Sequence, residues 1–256
     1  MGKTRILILG GTTEARSLAG ALASRPELDV LLSLAGRTAD PAEQPVPGRV
    51  GGFGGAEGLS RYLRDEAFDL LVDATHPFAA RISANAAEAI KAAGIPALAL
   101  RRPAWIAVEG DRWISVRSIA EAIKELGSSP LRVFLAIGRQ EAHHADAAPI
   151  HHYLVRSVDP VDPPLDAAGV TYLHTRGPFR LEDEMALLRQ HRIDVIVTKN
   201  SGGSATHAKI EAARALDIRV IMVERATVAD MPAVETVEAA LAEIDHLVSS
   251  LMKRGV

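Results

Sequence analysis

Short, wholly apolar runs recur along the chain, each ending in glycine or polar residues and followed by a stretch with helical spacing. The first, Ile6 to Leu9, meets Gly10-Gly11 and then Thr12-Thr13 before a helical pattern opens at Glu14. Apolarity without alternation predicts a strand buried on both faces of a parallel sheet. The first helix is expected over 14–24, with Ala15, Leu18, Ala19 and Leu22 as its apolar stripe and Pro26 as its stop. Residues 30–34 read as a second strand and 40–48, with three prolines, as a loop. A helix over 57–66, a strand over 68–72, a helix over 79–93 and a strand over 97–100 follow. This β-α order is that of a doubly wound sheet. Further on, 113–116 read as a short strand, 119–126 as a helix, and Gly127-Ser128-Ser129-Pro130 as a boundary.

The pattern then repeats. RVFLAIGRQEA, from Arg132 to Ala142, restates RILILGGTTEA, from Arg5 to Ala15. Residues 193–197 restate 68–72, 217–225 restate 94–102, and 237–244 restate 119–126. One apolar match is weak, but four in the same order imply two related α/β units. The expected fold is α/β: two Rossmann-like parallel-sheet domains, 1–128 and 129–256, with a ligand cleft between them.

Composition narrows the partners. The 256 residues are 48% hydrophobic and 24% charged, with a formal net charge of −3 and no cysteine. No basic stretch suggests nucleic acid, and disulfides, thiolate nucleophiles and cysteine zinc sites are excluded. No apolar run reaches the ~18–20 residues of a membrane span. With no signal peptide ahead of the first strand, a cytoplasmic protein is expected, and a monomer is compatible with that reading.

The turns carry the chemistry. Gly10, Gly11, Thr12 and Thr13 join a buried strand to a helix N-terminus, where free N–H groups and the helix dipole favour an anion. At the end of the second strand, where a dinucleotide's adenosine ribose would lie, there is no acid; Arg37 stands with Ser33 and Thr38 instead. Guanidinium and hydroxyls suit a 2′-phosphate, so NADPH is favoured over NADH. Asp73-Ala74-Thr75-His76-Pro77-Phe78 is a polar burst at a strand end, and Gly51, Gly52, Gly54 and Gly55 mean either backbone close to something or a mobile turn. In the second half, Thr198-Lys199-Asn200-Ser201-Gly202-Gly203-Ser204 opens a helix carrying Thr206 and Lys209, and should bind a phosphate or a carboxylate. The His143-His144 and His151-His152 pairs lack metal-ligand spacing, so no metal is expected. No Tyr-x-x-x-Lys pair supports a short-chain reductase. A non-catalytic nucleotide-sensing module would explain the first glycine turn but not the second polar loop.

Together these motifs resemble the precorrin-6A reductase family (CobK/CbiJ type) of cobalamin biosynthesis. The resemblance rests on LGGTTEAR, ATHPFA with Ile82, Ser83 and Asn85, and Arg102-Pro103 with Trp105. In the second half it rests on Gly138-Arg139, Arg176-Gly177-Pro178-Phe179 with Glu182, and TKNSGG with Thr206 and Lys209. It implies NADPH-dependent reduction of one double bond in the acidic macrocycle precorrin-6A, giving precorrin-6B; a cobalt-precorrin-6A substrate stays open. On that basis Gly10, Gly11, Thr12, Thr13, Glu14 and Arg16 would hold the pyrophosphate, and Arg37 and Thr38 the 2′-phosphate. Thr75, His76 and Pro77 would lie by the nicotinamide, His76 being the candidate proton donor. Phe78, Arg139, Tyr153, Arg156, Arg176, Lys199, Asn200, Ser201, Gly202, Gly203, Thr206 and Lys209 would meet the substrate and its carboxylates.

Overall fold

The computed structural model describes residues 3–36, 42–167, 169–226 and 231–254. In its first half the elements are β1 (Thr4–Leu9), α1 (Thr13–Ala23), β2 (Leu28–Leu34), β3 (Gly48–Val50), α2 (Gly55–Asp65), β4 (Leu70–Asp73), α3 (Ala80–Ala93), β5 (Ala97–Leu100), β6 (Trp113–Val116) and α4 (Ile119–Lys124). The second half adds β7 (Arg132–Ala136), a 3-10 segment (Arg139–Ala147), β8 (His152–Ser157), β9 (Gly169–His174), α5 (Leu181–Gln190), β10 (Val195–Lys199), α6 (Ala208–Ala215), β11 (Arg219–Val223), β12 (Ala233–Val234) and α7 (Val237–Arg254).

Two parallel six-stranded sheets result, ordered β12-β5-β4-β1-β2-β3 and β6-β11-β10-β7-β8-β9. Substituting β7 for β1, β8 for β2, β9 for β3, β10 for β4 and β11 for β5 turns five of the six positions of the first order into those of the second. The repeat is thus a repeat of architecture. Its sixth strands are exchanged: β6 follows β5 in the chain but pairs with β11, and β12 follows β11 but pairs with β5. The compact units are accordingly 1–103 with 227–256, and 104–226. The boundary expected at 128/129 is corrected by this exchange, because 127–130 only join α4 to β7 within the second unit.

β1 shows why continuous apolar runs become central strands. Ile6 and Ile8 enter one core with Leu18 and Leu22 of α1 and with Ala240 and Ile244 of α7; Leu7 and Leu9 enter another with Leu59, Leu63 and Ala86. Each such fully buried side chain contributes about 1.5–3 kcal/mol of transfer free energy. In the second unit, Phe134 and Ile196 from the sheet meet Leu188 of α5 and Ile210 of α6. Among the described residues, no helix is long and apolar enough to cross a membrane.

Candidate functional site

In the first unit the chain leaves β1 toward β2 and β3, then returns to place β4 and β5 on the other side of β1. Ligands of open parallel sheets bind outside the strand C-termini at such a reversal. A cavity of about 520 Å³ lies there. Leu9 and Gly10 after β1, Ser33 and Ala35 around the end of β2, the 51–55 loop and Thr75 line it, with Arg81, Ile82 and Asn85 of α3.

Each part of the cavity wall has a local cause. A Cβ on Gly10 would stand 2.7 Å from Leu32 Cδ1, so glycine is needed for packing; Gly11 has φ +115°, which side chains rarely adopt. Thr12 is the N-cap of α1: its hydroxyl accepts the Ala15 N–H (3.1 Å) and donates to the Ala74 carbonyl (2.8 Å). Its side chain therefore ties the first turn to the end of β4. Thr13 and Arg16 are exposed on the first turn of the helix, while Glu14 pairs with Arg102.

After β4, Asp73 is 2% exposed and organises the Thr75-His76-Pro77-Phe78 loop. Its Oδ1 accepts the Thr75 N–H (3.2 Å) and hydroxyl (2.7 Å), and Ser83 of α3 donates to Oδ2 (2.5 Å). His76 Nδ1 accepts the Phe78 N–H at 3.2 Å, which makes Nε2 the proton-bearing nitrogen of a neutral ring. His76, Pro77 and Phe78 are all half-buried. Arg37 and Thr38 lie outside the described residues.

The support behind the cavity wall that sequence reasoning missed is β3. Its register sets Arg49 beside Ser33. Arg49 Nη1 donates to Ser33 Oγ (2.9 Å) and the Gly51 carbonyl (3.1 Å), Nη2 donates to the Gly52 carbonyl (3.3 Å), and the guanidinium lies 3.9 Å from the Phe53 ring centre. A three-residue strand whose one large apolar side chain, Val50, is 60% exposed carries no hydrophobic signal. The available clue was position: an arginine just ahead of a glycine run, one strand after β2.

In the second unit the polar loop after β10 is braced from within. Asn200, 2% exposed, accepts the Trp105 N–H (2.8 Å) and donates to the Trp105 carbonyl (3.0 Å). Lys209, 5% exposed, lies 4.8 Å from the Trp105 ring centre and donates to the Thr206 carbonyl at 2.7 Å. Burial above all, with Arg156 adding to it and Glu184 opposing, pushes its pKa down to about 7. Arg156 makes a bidentate pair with Glu184 (2.9 and 2.6 Å), stacked between Phe134 and Phe179. Tyr153 is 2% exposed; its hydroxyl donates to the Ala148 carbonyl, and burial followed by the Asp146 charge pushes its pKa up to about 12. Asn200, Lys209, Arg156 and Tyr153 are each engaged with the protein itself and build the loop and its support. Ser201 and Thr206 approach each other at 3.4 Å, and Gly203 is buried.

Arg139, Lys199, Gly202 and Thr206 are half-buried, and Arg176 is exposed. Arg139 stands 3.9 Å from Asp159, and Lys199 pairs with Glu141 at 2.7 Å. His143 pairs with Asp146 at 3.0 Å, and no cluster of three or more potential metal ligands occurs among the described residues.

Comparison with known proteins connects this architecture to a chemistry. A family model for precorrin-6x reductase CbiJ/CobK matches residues 5–245. A precorrin-6A reductase from Sinorhizobium sp is 59% identical over 96% of this chain and 94% of its own. A cobalt-precorrin-6A reductase from Methanothermobacter thermautotrophicus is 32% identical over 87% of this chain and 77% of its own. The solved structure of a CobK precorrin-6A reductase superposes with a TM-score of 0.92 at 44% identity, covering 95% of this chain and 97% of that one.

Proposed function

The chain belongs to the precorrin-6x reductase family, oxidoreductases of cobalamin biosynthesis, and we propose that it reduces precorrin-6A to precorrin-6B using NADPH held by the first unit. One observation carries the cofactor reading. Beside apolar side chains, the cavity at the sheet's reversal is lined by five glycines and the hydroxyl residues Ser33 and Thr75, and its lining includes an arginine and no carboxylate. Such a wall fits a polyanionic dinucleotide: a Cβ at Gly51, Gly52, Gly54 or Gly55 would meet open space, so the backbone there is accessible.

NADPH, when bound, supplies a hydride to one end of the reducible double bond. Gly10 and Gly11 with the α1 N-terminus take the pyrophosphate. Asp73, through Thr75 and Ser83, fixes the loop that bears His76, and the His76 imidazolium, formed when Nδ1 takes up a proton in place of the Phe78 N–H contact, is the proposed source of the proton for the other end, which leaves from Nε2 and restores a neutral ring. Arg139, Arg176 and Lys199, with the Gly202 backbone, grip the macrocycle's carboxylates. Identity of 59% to a precorrin-6A reductase, against 32% to a cobalt-precorrin-6A reductase, favours the cobalt-free substrate.

A nicotinamide-fluorescence titration tests the cofactor half of this reading. Saturable binding of one NADPH per chain is expected, and a linear, unsaturable signal would refute it.

A further inference from the structure

We propose that Arg49 sets the cofactor preference by receiving the 2′-phosphate of NADPH, an inference that rests on the cofactor reading above. The end of the second strand of a dinucleotide fold faces the adenosine ribose, where an acid selects NAD and an arginine accommodates a 2′-phosphate. Here that position is Ser33, 4% exposed, and the group beside it is the Arg49 guanidinium.

Three features fit Arg49 to a phosphate. It pairs with no carboxylate among the described residues. Its three bonds to Ser33, Gly51 and Gly52 and the Phe53 ring beneath it fix the plane of the guanidinium before any ligand arrives. Of the five N–H groups of a guanidinium, two remain for a phosphate oxygen. The residues it holds, Ser33, Gly51, Gly52 and Phe53, all line the cavity.

Arg49→Met keeps the apolar stem and removes the charge. Titrating wild type and variant with NADPH and with NADH, each at low and moderate salt, separates the outcomes. Arg49→Met should weaken NADPH about ten- to a hundredfold, the value of a charge-assisted hydrogen bond, and leave NADH unchanged. Arg49→Lys should recover part of the preference, because charge returns without the planar fork. Equal weakening of both cofactors would reduce Arg49 to a brace of the 51–55 loop and overturn the proposal. So would an unchanged NADPH preference in Arg49→Met, although NADPH use itself would then stand, with Arg37 as the remaining candidate. A wild type that binds neither cofactor would remove the underlying reading together with the proposal.

Discussion

Thr12 and Lys209 show how polar residues of similar appearance in the sequence take different work in the fold. Thr12 belongs to a phosphate-like turn, yet its hydroxyl caps α1 and ties β4 to β1. Lys209 follows a glycine-rich cationic loop, yet its amine points inward beneath Trp105. Its pKa of about 7, below the ordinary 10.5, has a definite consequence. Between those values the unfolded chain holds a proton that the folded chain has released, so stability rises with pH across that window. Thermal melts of wild type and Lys209→Met should therefore show the wild type gaining on the variant from pH 7 toward pH 10. Arg156 and Glu184 face the same amine, so the curve reports the cluster; a gap independent of pH would show that Lys209 keeps its proton throughout. At this scale the sequence marked where polar residues gather but not which way they point. Asn200, Tyr153 and Lys209 have the composition of ligand contacts, and only their burial shows that they serve Trp105, Ala148 and Thr206.

Elements were legible in proportion to the apolar surface they bury. β5, residues 6–9 of β1 and residues 195–197 of β10 were readable because a strand covered on both faces has no polar interruption. β3 and β12 were not: three and two residues long, they are defined by pairing with β2 and β5, which no local pattern encodes. The stretch after β7 was aligned with α1, but 139–147 winds as 3-10, and its first turn begins at Gly138 without a side-chain cap. The allocation of α7 has a direct test. Ile244 is fully buried in the core shared by Ile6, Ile8 and Leu18. Ile244→Ala should cost about 2–5 kcal/mol and speed hydrogen exchange in β1 and β4 while sparing β7 and β10. Loss of protection confined to β7 and β10 would instead return α7 to the second unit.

At the scale of the whole chain, the repeat was visible because both halves use the same order of buried strands. The exchange of β6 and β12 was hidden because it leaves that order untouched: a strand reads the same whichever sheet it joins. The division into contiguous halves failed on that point alone, and the match of 119–126 with 237–244 aligned the two helices, α4 and α7, that follow the exchanged strands. The double glycine of the first unit follows β1, and the braced, cationic loop of the second follows β10, the counterpart of β4; in the proposed reaction the first serves a dinucleotide and the second carboxylates. The central claim is that the two serve one reduction. Anaerobic incubation of the purified chain with NADPH, followed by addition of precorrin-6A, tests it most directly. Nicotinamide absorbance should be stable until the macrocycle is added and then fall by one NADPH per precorrin-6B formed. NADPH bound but not consumed in the presence of precorrin-6A would contradict it.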